Sequence, residues 1–328
     1  MSSQRTVSSF KIMGTLATLC IPGEVDDRIT SSVYSELRSL ERRLTVNGSE
    51  EVRASSQVDA INKAAGDKAV VLDEDVYSLV RSAVLASQKY KNSFNAFMGP
   101  VVKAWGIGFD NARVPSNEEI KKLLSLTNPF SVELNDSDRS VKLKSPGMQL
   151  DLGAIAKGFS ADCAGEIYRQ NGINQGLIDL GGNVLAMGGS EISDDRYWTV
   201  GIQSPFHTRG TILGHVKIRD ASAVTSGIYE RVFEIDGKQY HHMLDPNTGY
   251  PFETNLASVT IIAEHSITAD LWATIAQRNG LNEGYRVVEE ASGVEAILVT
   301  RDCKVLATSG IKDKFTLVSS EFQEIAGL

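Results

Sequence analysis

Residues 178–189 read IDLGGNVLAMGG, and the spacing of their glycines decides which fold the chain can adopt. An apolar strand running into a glycine-rich turn is how a dinucleotide-binding βαβ unit opens, but that unit needs G-x-G-x-x-G. Here Gly181 and Gly182 are adjacent and the required register is missing, so a Rossmann reading fails. A glycine pair of this kind lets backbone approach something closely, or marks a bulge.

Working outward, the second half of the chain is rich in extended segments. GLIDLGGNVLAMG (176–188), YWTVGIQ (197–203), TILGHVKI (211–218), ASVTIIA (257–263) and EAILVTRDCKVLATSG (295–310) all read as strand. Helices at 269–278 and 281–291 interrupt them. Upstream, Ile29, Val33, Leu37, Leu40 and Leu44 recur at three- and four-residue steps, predicting an amphipathic helix over 26–45. A second helix is predicted over 74–90, and Ser116-x-x-Glu119 is a capping box. SVELNDSDRSVKLK (131–144) reads as a hairpin, and a helix over 155–170 aligns Ile155, Phe159, Cys163 and Ile167. Strands and helices without strict βαβ alternation predict an α+β fold with mixed or antiparallel sheets and packed helices. With no repeat, low-complexity tract or linker, residues 1–328 read as a single bilobal domain.

The formal net charge of −8 argues against a nucleic-acid partner, which calls for a basic face. Cys20, Cys163 and Cys303 are widely spaced and form no zinc or CxxC pattern, fitting a reducing compartment. MSSQRTVSSFKIMGT lacks the apolar core of a signal peptide, and no apolar run is long enough to span a bilayer. The expectation is a soluble, cytoplasmic protein without a membrane anchor.

Five segments carry residues suited to chemistry. Met13-Gly14-Thr15 adjoins the strand-like TLATLCI. SFNAFMGPVVKAWGIGFD (93–110) sets Trp105 among glycines, as a buried core residue or as a wall for a planar ligand. In LDLGAIAKGFSAD (150–162), Lys157 sits in the first turn of a helix, where the dipole favours anions, so it reads either as a solvated lysine or as a charge explained by a phosphate in front of it. IDLGGNVLAMGG is the fourth. In SITADLWATIAQRNG (266–280), Asp270 and Thr274 are four residues apart on one helix face, either as hard oxygen donors suited to Mg²⁺ or Ca²⁺, or as a carboxylate complementing the helix dipole and a hydroxyl packed in a core. QYHHMLDPNTGYPF (239–252) pairs two histidines. If the segment is extended, His241 and His242 point to opposite faces and only one can enter a site.

LDLGAIAKG (150–158), TSGIYER (225–231), HHMLDPNTGYP (241–251) and the Asp270…Thr274 helix, in this order, resemble the ApbE family, the FAD:protein FMN transferases. The resemblance runs from MGT at 13–15 to the helix ending near Gly280. It implies a fold of the ApbE type and cleavage of FAD, with FMN passing to a threonine or serine hydroxyl of a target flavoprotein and AMP released. Met13, Phe94, Asn95, Asp151, Lys157 and Leu244 match positions that line FAD, and Gly181 and Gly182 are counted with these flavin-binding candidates. The Ala154 carbonyl, Asp270 and Thr274 match positions that hold Mg²⁺. His242 matches the histidine of the reaction centre, where an imidazole of ordinary pKa can accept the hydroxyl proton. Two departures stand out: Asn95 where relatives often carry aspartate, and Ala273 where they carry serine or aspartate. The implied acceptor carries an FMN-binding domain with the target threonine. Two alternatives share these residues: FAD hydrolysis to FMN and AMP, and non-catalytic FAD binding.

Overall fold

The computed structural model describes residues 5–191 and 193–327. The MSSQ start of the segment read for a leader lies outside them. The chain divides into two compact units. The first comprises the described residues of 1–39, 157–227 and 254–328; the second comprises 40–156 and 228–253.

The first unit is built on a sheet of nine strands among the described residues. In chain order they are β1 (Arg5–Ile12), β2 (Thr15–Pro22), β3 (Gly176–Leu180), β4 (Asn183–Met187), β5 (Ala221–Gly227), β6 (Leu256–Ala263), β7 (Val294–Thr300), β8 (Lys304–Ala307) and β9 (Gln323–Glu324). Their order across the sheet is the same as their order along the chain. Every neighbouring pair is antiparallel except β8–β9. Two helices used below are α1 (Ala156–Gln170) and α2 (Ser266–Glu289).

Alternation along the strands sorts side chains to two covered faces. Ile178, Leu180, Leu185 and Met187 pack with Ala161, Ala164 and Tyr168 of α1, and with Val33 and Leu37 of the helix Asp27–Leu44. Val224, Val259, Ile261 and Leu298 pack with Ala269, Ala273 and Ala276 of α2. The opposite face, through Ala223, Ile262, Ile297 and Val299, meets the three-stranded sheet of Trp198–Gln203, Ile212–Ile218 and Phe315–Leu317. All eight residues of β6 are buried, Ser258 and Thr260 included, so both faces of this central strand are covered.

The second unit holds Glu74–Lys89, Gly99–Trp105 and Asn117–Leu124, the paired strands Val132–Asn135 and Ser140–Leu143, and the ribbon Val232–Ile235/Lys238–His241. Ser116 caps Asn117–Leu124 as predicted, its hydroxyl accepting from the Glu119 N–H at 3.2 Å. Trp105 is a core residue, 1% exposed, donating Nε1–H to the Gly249 carbonyl at 2.8 Å.

Most predicted elements agree with those observed to within a residue or two. Three differ in kind. GLIDLGGNVLAMG is not one run but the β3–β4 hairpin, with Gly181 (φ 68°) and Gly182 (φ 97°) as its two-residue turn. Positive φ at both positions is what the tight primed turn requires, so a bulge is not the explanation. Arg5–Ile12 is a strand that the polar sequence RTVSSFKI hid, because its side chains are exposed or half-buried up to Ile12. EAILVTRDCKVLATSG is likewise not one run but the β7–β8 hairpin. The two helices expected at 269–278 and 281–291 are both present, meeting within α2 at Gly280, whose φ of 73° and ψ of −174° leave the helical region.

Candidate functional site

The predicted residues fall into two groups. Met13, Lys157, Gly181, Gly182, Asp270 and Thr274 belong to the first unit; Phe94, Asn95, Asp151, Ala154, His242 and Leu244 belong to the second.

In the first unit, two hairpin turns adjoin. Met13 (φ 48°) and Gly14 (φ 71°) connect β1 to β2, and Gly181-Gly182 connects β3 to β4. A Cβ at Gly181 would lie 1.9 Å from Thr15 Oγ1, so only glycine lets these turns touch. Positive φ at both Met13 and Gly14 is what a two-residue primed turn requires. The turn is braced by Asp179, whose Oδ1 accepts the Gly182 N–H at 2.9 Å, and by the Thr225 N–H donating to the Gly182 carbonyl at 3.1 Å. Burial raises the Asp179 pKa above the carboxylate norm, opposed by the Gly182 amide.

Asn183, the residue after that turn, opens the charged centre of the unit. It is fully buried and accepts from Lys157 Nζ on its Oδ1 at 3.3 Å. Asp270, 3% exposed, faces the same place from α2 and takes the Gly158 N–H on Oδ2 at 3.0 Å. That amide belongs to the first turn of α1, where no preceding helical carbonyl can satisfy it. Burial pushes the Asp270 pKa up; the Lys157 charge, the Gly158 N–H and the Asn183 side chain each pull it back. Asn183 Nδ2 exerts this influence without closing a hydrogen bond of ordinary geometry. Thr274 stands one turn beyond Asp270 on α2 and is half-buried. Asp270 thus brings a carboxylate to the α1 N-terminus from 112 residues away, near enough to Lys157 for that charge to act on it.

Among the described residues no group of three or more His, Cys, Asp or Glu could hold a metal ion. The donors expected from the sequence are of another kind: one carboxylate, one hydroxyl and one main-chain carbonyl. Such an all-oxygen set fits a hard cation like Mg²⁺ and would not suit zinc. The buried Asp270 carboxylate, beside a single lysine, fits that donor role.

In the second unit, His241 closes the strand Lys238–His241 and is buried, its Nε2 2.9 Å from the Phe252 carbonyl and its ring edge-on to Phe252. His242 is only half-buried, with Nδ1 3.3 Å from the Arg231 carbonyl. The two histidines thus take different environments, as alternation predicts. The turn after them is fixed by Asp245, whose Oδ1 accepts from the Asn247 N–H at 2.8 Å while its carbonyl takes the Gly249 N–H at 2.8 Å. Leu244 bridges to Pro251 and packs against the Trp105 cluster. Asp151 Oδ1 accepts from the Gly153 N–H at 2.8 Å, shaping the turn that carries Ala154. Phe94 is buried. Asn95 spends both polar atoms locally, donating Nδ2–H to the Thr127 carbonyl at 2.8 Å and accepting the Phe97 N–H on Oδ1 at 2.9 Å.

Asn183 and Asp162 are the residues that the sequence reading missed. Both stand inside segments it singled out: Asn183 directly follows the glycine pair, and Asp162 is one turn beyond Gly158.

The chain is a member of the ApbE family, whose sequence model matches residues 13–298. It is 39% identical over 300 residues to the FAD:protein FMN transferase of Klebsiella pneumoniae (strain 342), covering 92% of this chain and 91% of that protein. It is 37% identical over 301 residues to the protein of the same name from Treponema pallidum, covering 88% and 82%. Among solved structures, the ApbE protein of Thermotoga maritima superimposes with a TM-score of 0.85 at 28% identity, covering 95% of this chain and 99% of that one. The Pseudomonas stutzeri flavinyl transferase ApbE gives 0.81 at 25% identity, covering 97% and 100%.

Proposed function

We propose that this chain transfers FMN from FAD to a threonine or serine hydroxyl of an acceptor flavoprotein, releasing AMP. Family membership and the relatives named FAD:protein FMN transferase support the reaction class. The observation that carries the reading to this chain is the buried Asp270–Lys157–Asn183 centre at the start of α1. Asp270 and Thr274 are the proposed donors to Mg²⁺ from the first unit, and the Ala154 carbonyl is the third donor implied by the family. When bound, the ion supplies charge neutralisation at the diphosphate of FAD.

The remaining roles belong to side chains. Lys157 offsets phosphate charge. Met13, Gly181 and Gly182 offer backbone at two glycine-shaped turns, and Phe94, Asp151 and Leu244 are the further flavin-binding residues that the family implies. Asn95 is the weakest of the flavin-binding set, since its amide is already committed. The acceptor oxygen forms the new bond to the FMN-side phosphorus as the bond to AMP breaks, and its proton passes to His242. The Arg231 carbonyl beside Nδ1 favours the tautomer protonated there, which assigns proton acceptance to Nε2.

The acceptor is a protein with an FMN-binding domain, and placement in the cytoplasm belongs to the same proposal. Among the described residues no helix is long and apolar enough to cross a membrane. The test is incubation with FAD, Mg²⁺ and candidate acceptors, followed by mass spectrometry for FMN on threonine. AMP release that is equally fast without acceptor would assign the chain to hydrolysis instead.

A further inference from the structure

The two helices of the charged centre are tied at two levels. At the first, the Gly158 N–H of α1 meets Asp270 Oδ2 of α2 at 3.0 Å. At the second, one turn along both helices, Asp162 of α1 grips the start of α2. Its Oδ1 accepts the Ser266 N–H at 2.8 Å and its Oδ2 accepts the Ile267 N–H at 2.9 Å. These are first-turn amides of α2, which have no helical partner of their own. The residue at the N-cap position, His265, makes no side-chain cap, and the first turn of α2 holds no acidic residue. Asp162 supplies the missing cap from another helix.

The spacing makes the second tie matter for the first. Gly158 and Asp162 are four apart on α1; Ser266 and Asp270 are four apart on α2. Each pair therefore shares one helix face. A helix held at one point can pivot; held at two points a turn apart, it cannot. The backbones approach closely at the first tie, where a Cβ on Gly158 would lie 2.4 Å from the Ser266 carbonyl oxygen.

We propose that Asp162 is a positioning residue that fixes the N-terminal turn of α2, and through it the Asp270 carboxylate and Thr274 hydroxyl, at the start of α1. The role toward metal rests on the function proposed above; the role toward Gly158 does not. Asp162→Ala removes both acceptors, and Asp162→Asn keeps the shape with one.

Two readouts on the full-length protein test this, at a temperature where each variant is folded. The first needs no metal: hydrogen exchange at the Gly158 amide, followed on the peptide covering 156–162. Asp162→Ala should speed it by about tenfold, the loss of roughly one hydrogen bond. The second is titration with Mn²⁺ alone, read as the free-ion paramagnetic resonance signal. Asp162→Ala should weaken binding about tenfold, as loss of a ligand-orienting group does, and Asp162→Asn should recover part of it. A merely structural aspartate would lower the melting temperature and leave both readouts at their wild-type values, which overturns the proposal. Unchanged Gly158 exchange overturns it whatever the metal does. If the wild-type protein binds no Mn²⁺, the metal reading of the function fails, and Gly158 exchange alone decides the positioning role. Should Asp162→Ala not fold, the same comparison is made with Asp162→Asn, for which exchange faster than wild type is required.

Discussion

Replacing Gly158 by alanine is the most direct test of the packing that holds the charged centre together. The added Cβ would lie 2.4 Å from the Ser266 carbonyl oxygen, 2.7 Å from its carbonyl carbon and 2.8 Å from Ile267 Cα. All three are backbone atoms, so no side chain can rotate out of the way. An ordinary carbon–oxygen contact is about 3.3 Å, so the helices must separate locally by about 0.9 Å. Three effects compete. Alanine favours the helix over glycine by about 1 kcal/mol. Overpacking against rigid neighbours costs about 1–3 kcal/mol. Separation also stretches the 3.0 Å bond from Gly158 to Asp270, and a hydrogen bond to a charged group contributes about 1.5–3 kcal/mol. The unfavourable effects win, giving a net destabilisation of about 2–4 kcal/mol, or a melting midpoint lower by about 3–6 °C for a chain of this length. The internal control is Gly165→Ala on the same helix. Its Cβ meets Leu185 Cδ2 at 2.8 Å, the end of a flexible side chain, so that variant should remain within about 1 kcal/mol of wild type. Thermal unfolding of the two variants side by side is the assay. Gly158→Ala as stable as wild type, or more stable than Gly165→Ala, would refute a backbone-to-backbone approach of the helices.

Three further outcomes follow from the same structure. Because burial raises the Asp270 pKa, the metal-free fold binds that proton more tightly than the unfolded chain, so its contribution to stability is largest below the usual carboxylate pKa and is lost as pH rises through the raised value. Metal needs the ionised carboxylate, so Mn²⁺ affinity should rise over that same pH window and then level off, and Asp270→Asn should abolish the dependence. The paired histidines should separate by assay: His241→Ala should lower stability by about 1–3 kcal/mol by removing a buried ring and its bond to the Phe252 carbonyl, while His242→Ala should leave FAD binding intact and abolish transfer. Gly181→Ala should destabilise through both its positive φ and its clash with Thr15 Oγ1, and adding Thr15→Gly should relieve the clash while leaving a residual strain of about 1–2 kcal/mol.

What could be read from the sequence was what is local. The helix Asp27–Leu44 follows from apolar spacing, the capping of Asn117–Leu124 from Ser116 and Glu119, and the hairpin at 132–143 from two alternating runs around a polar turn. Each signal lies within a few residues of the structure it specifies. The glycine pair at 181–182 marks the limit of that kind of reading. A bulge and a primed turn both ask for backbone freedom at such positions, and only the pairing of Gly176–Leu180 with Asn183–Met187 distinguishes them. The polar strand Arg5–Ile12 carries no apolar signal because it is the edge of the sheet, with only one strand to pair with.

The charged centre was only half legible, for a physical reason that applies to most buried ion sites. Lys157 at a helix N-terminus is visible as a misplaced charge, and electrostatics correctly demands an anion near it. Sequence cannot say whether that anion is a ligand or a residue, because chain distance has no bearing on spatial distance. Here the chain supplies its own carboxylate from α2, and the same argument extends one turn further. The bare amides at the start of α2 also demand an acceptor, nothing in the preceding residues provides one, and Asp162 on α1 does. Each helix thus satisfies the exposed amides at the other's N-terminus with an aspartate. Such reciprocity restricts both helices to one register, because shifting either by a residue strands amides on the two together. A carboxylate held in this way is fixed in place before any ligand arrives, so binding to it carries no cost of ordering the side chain.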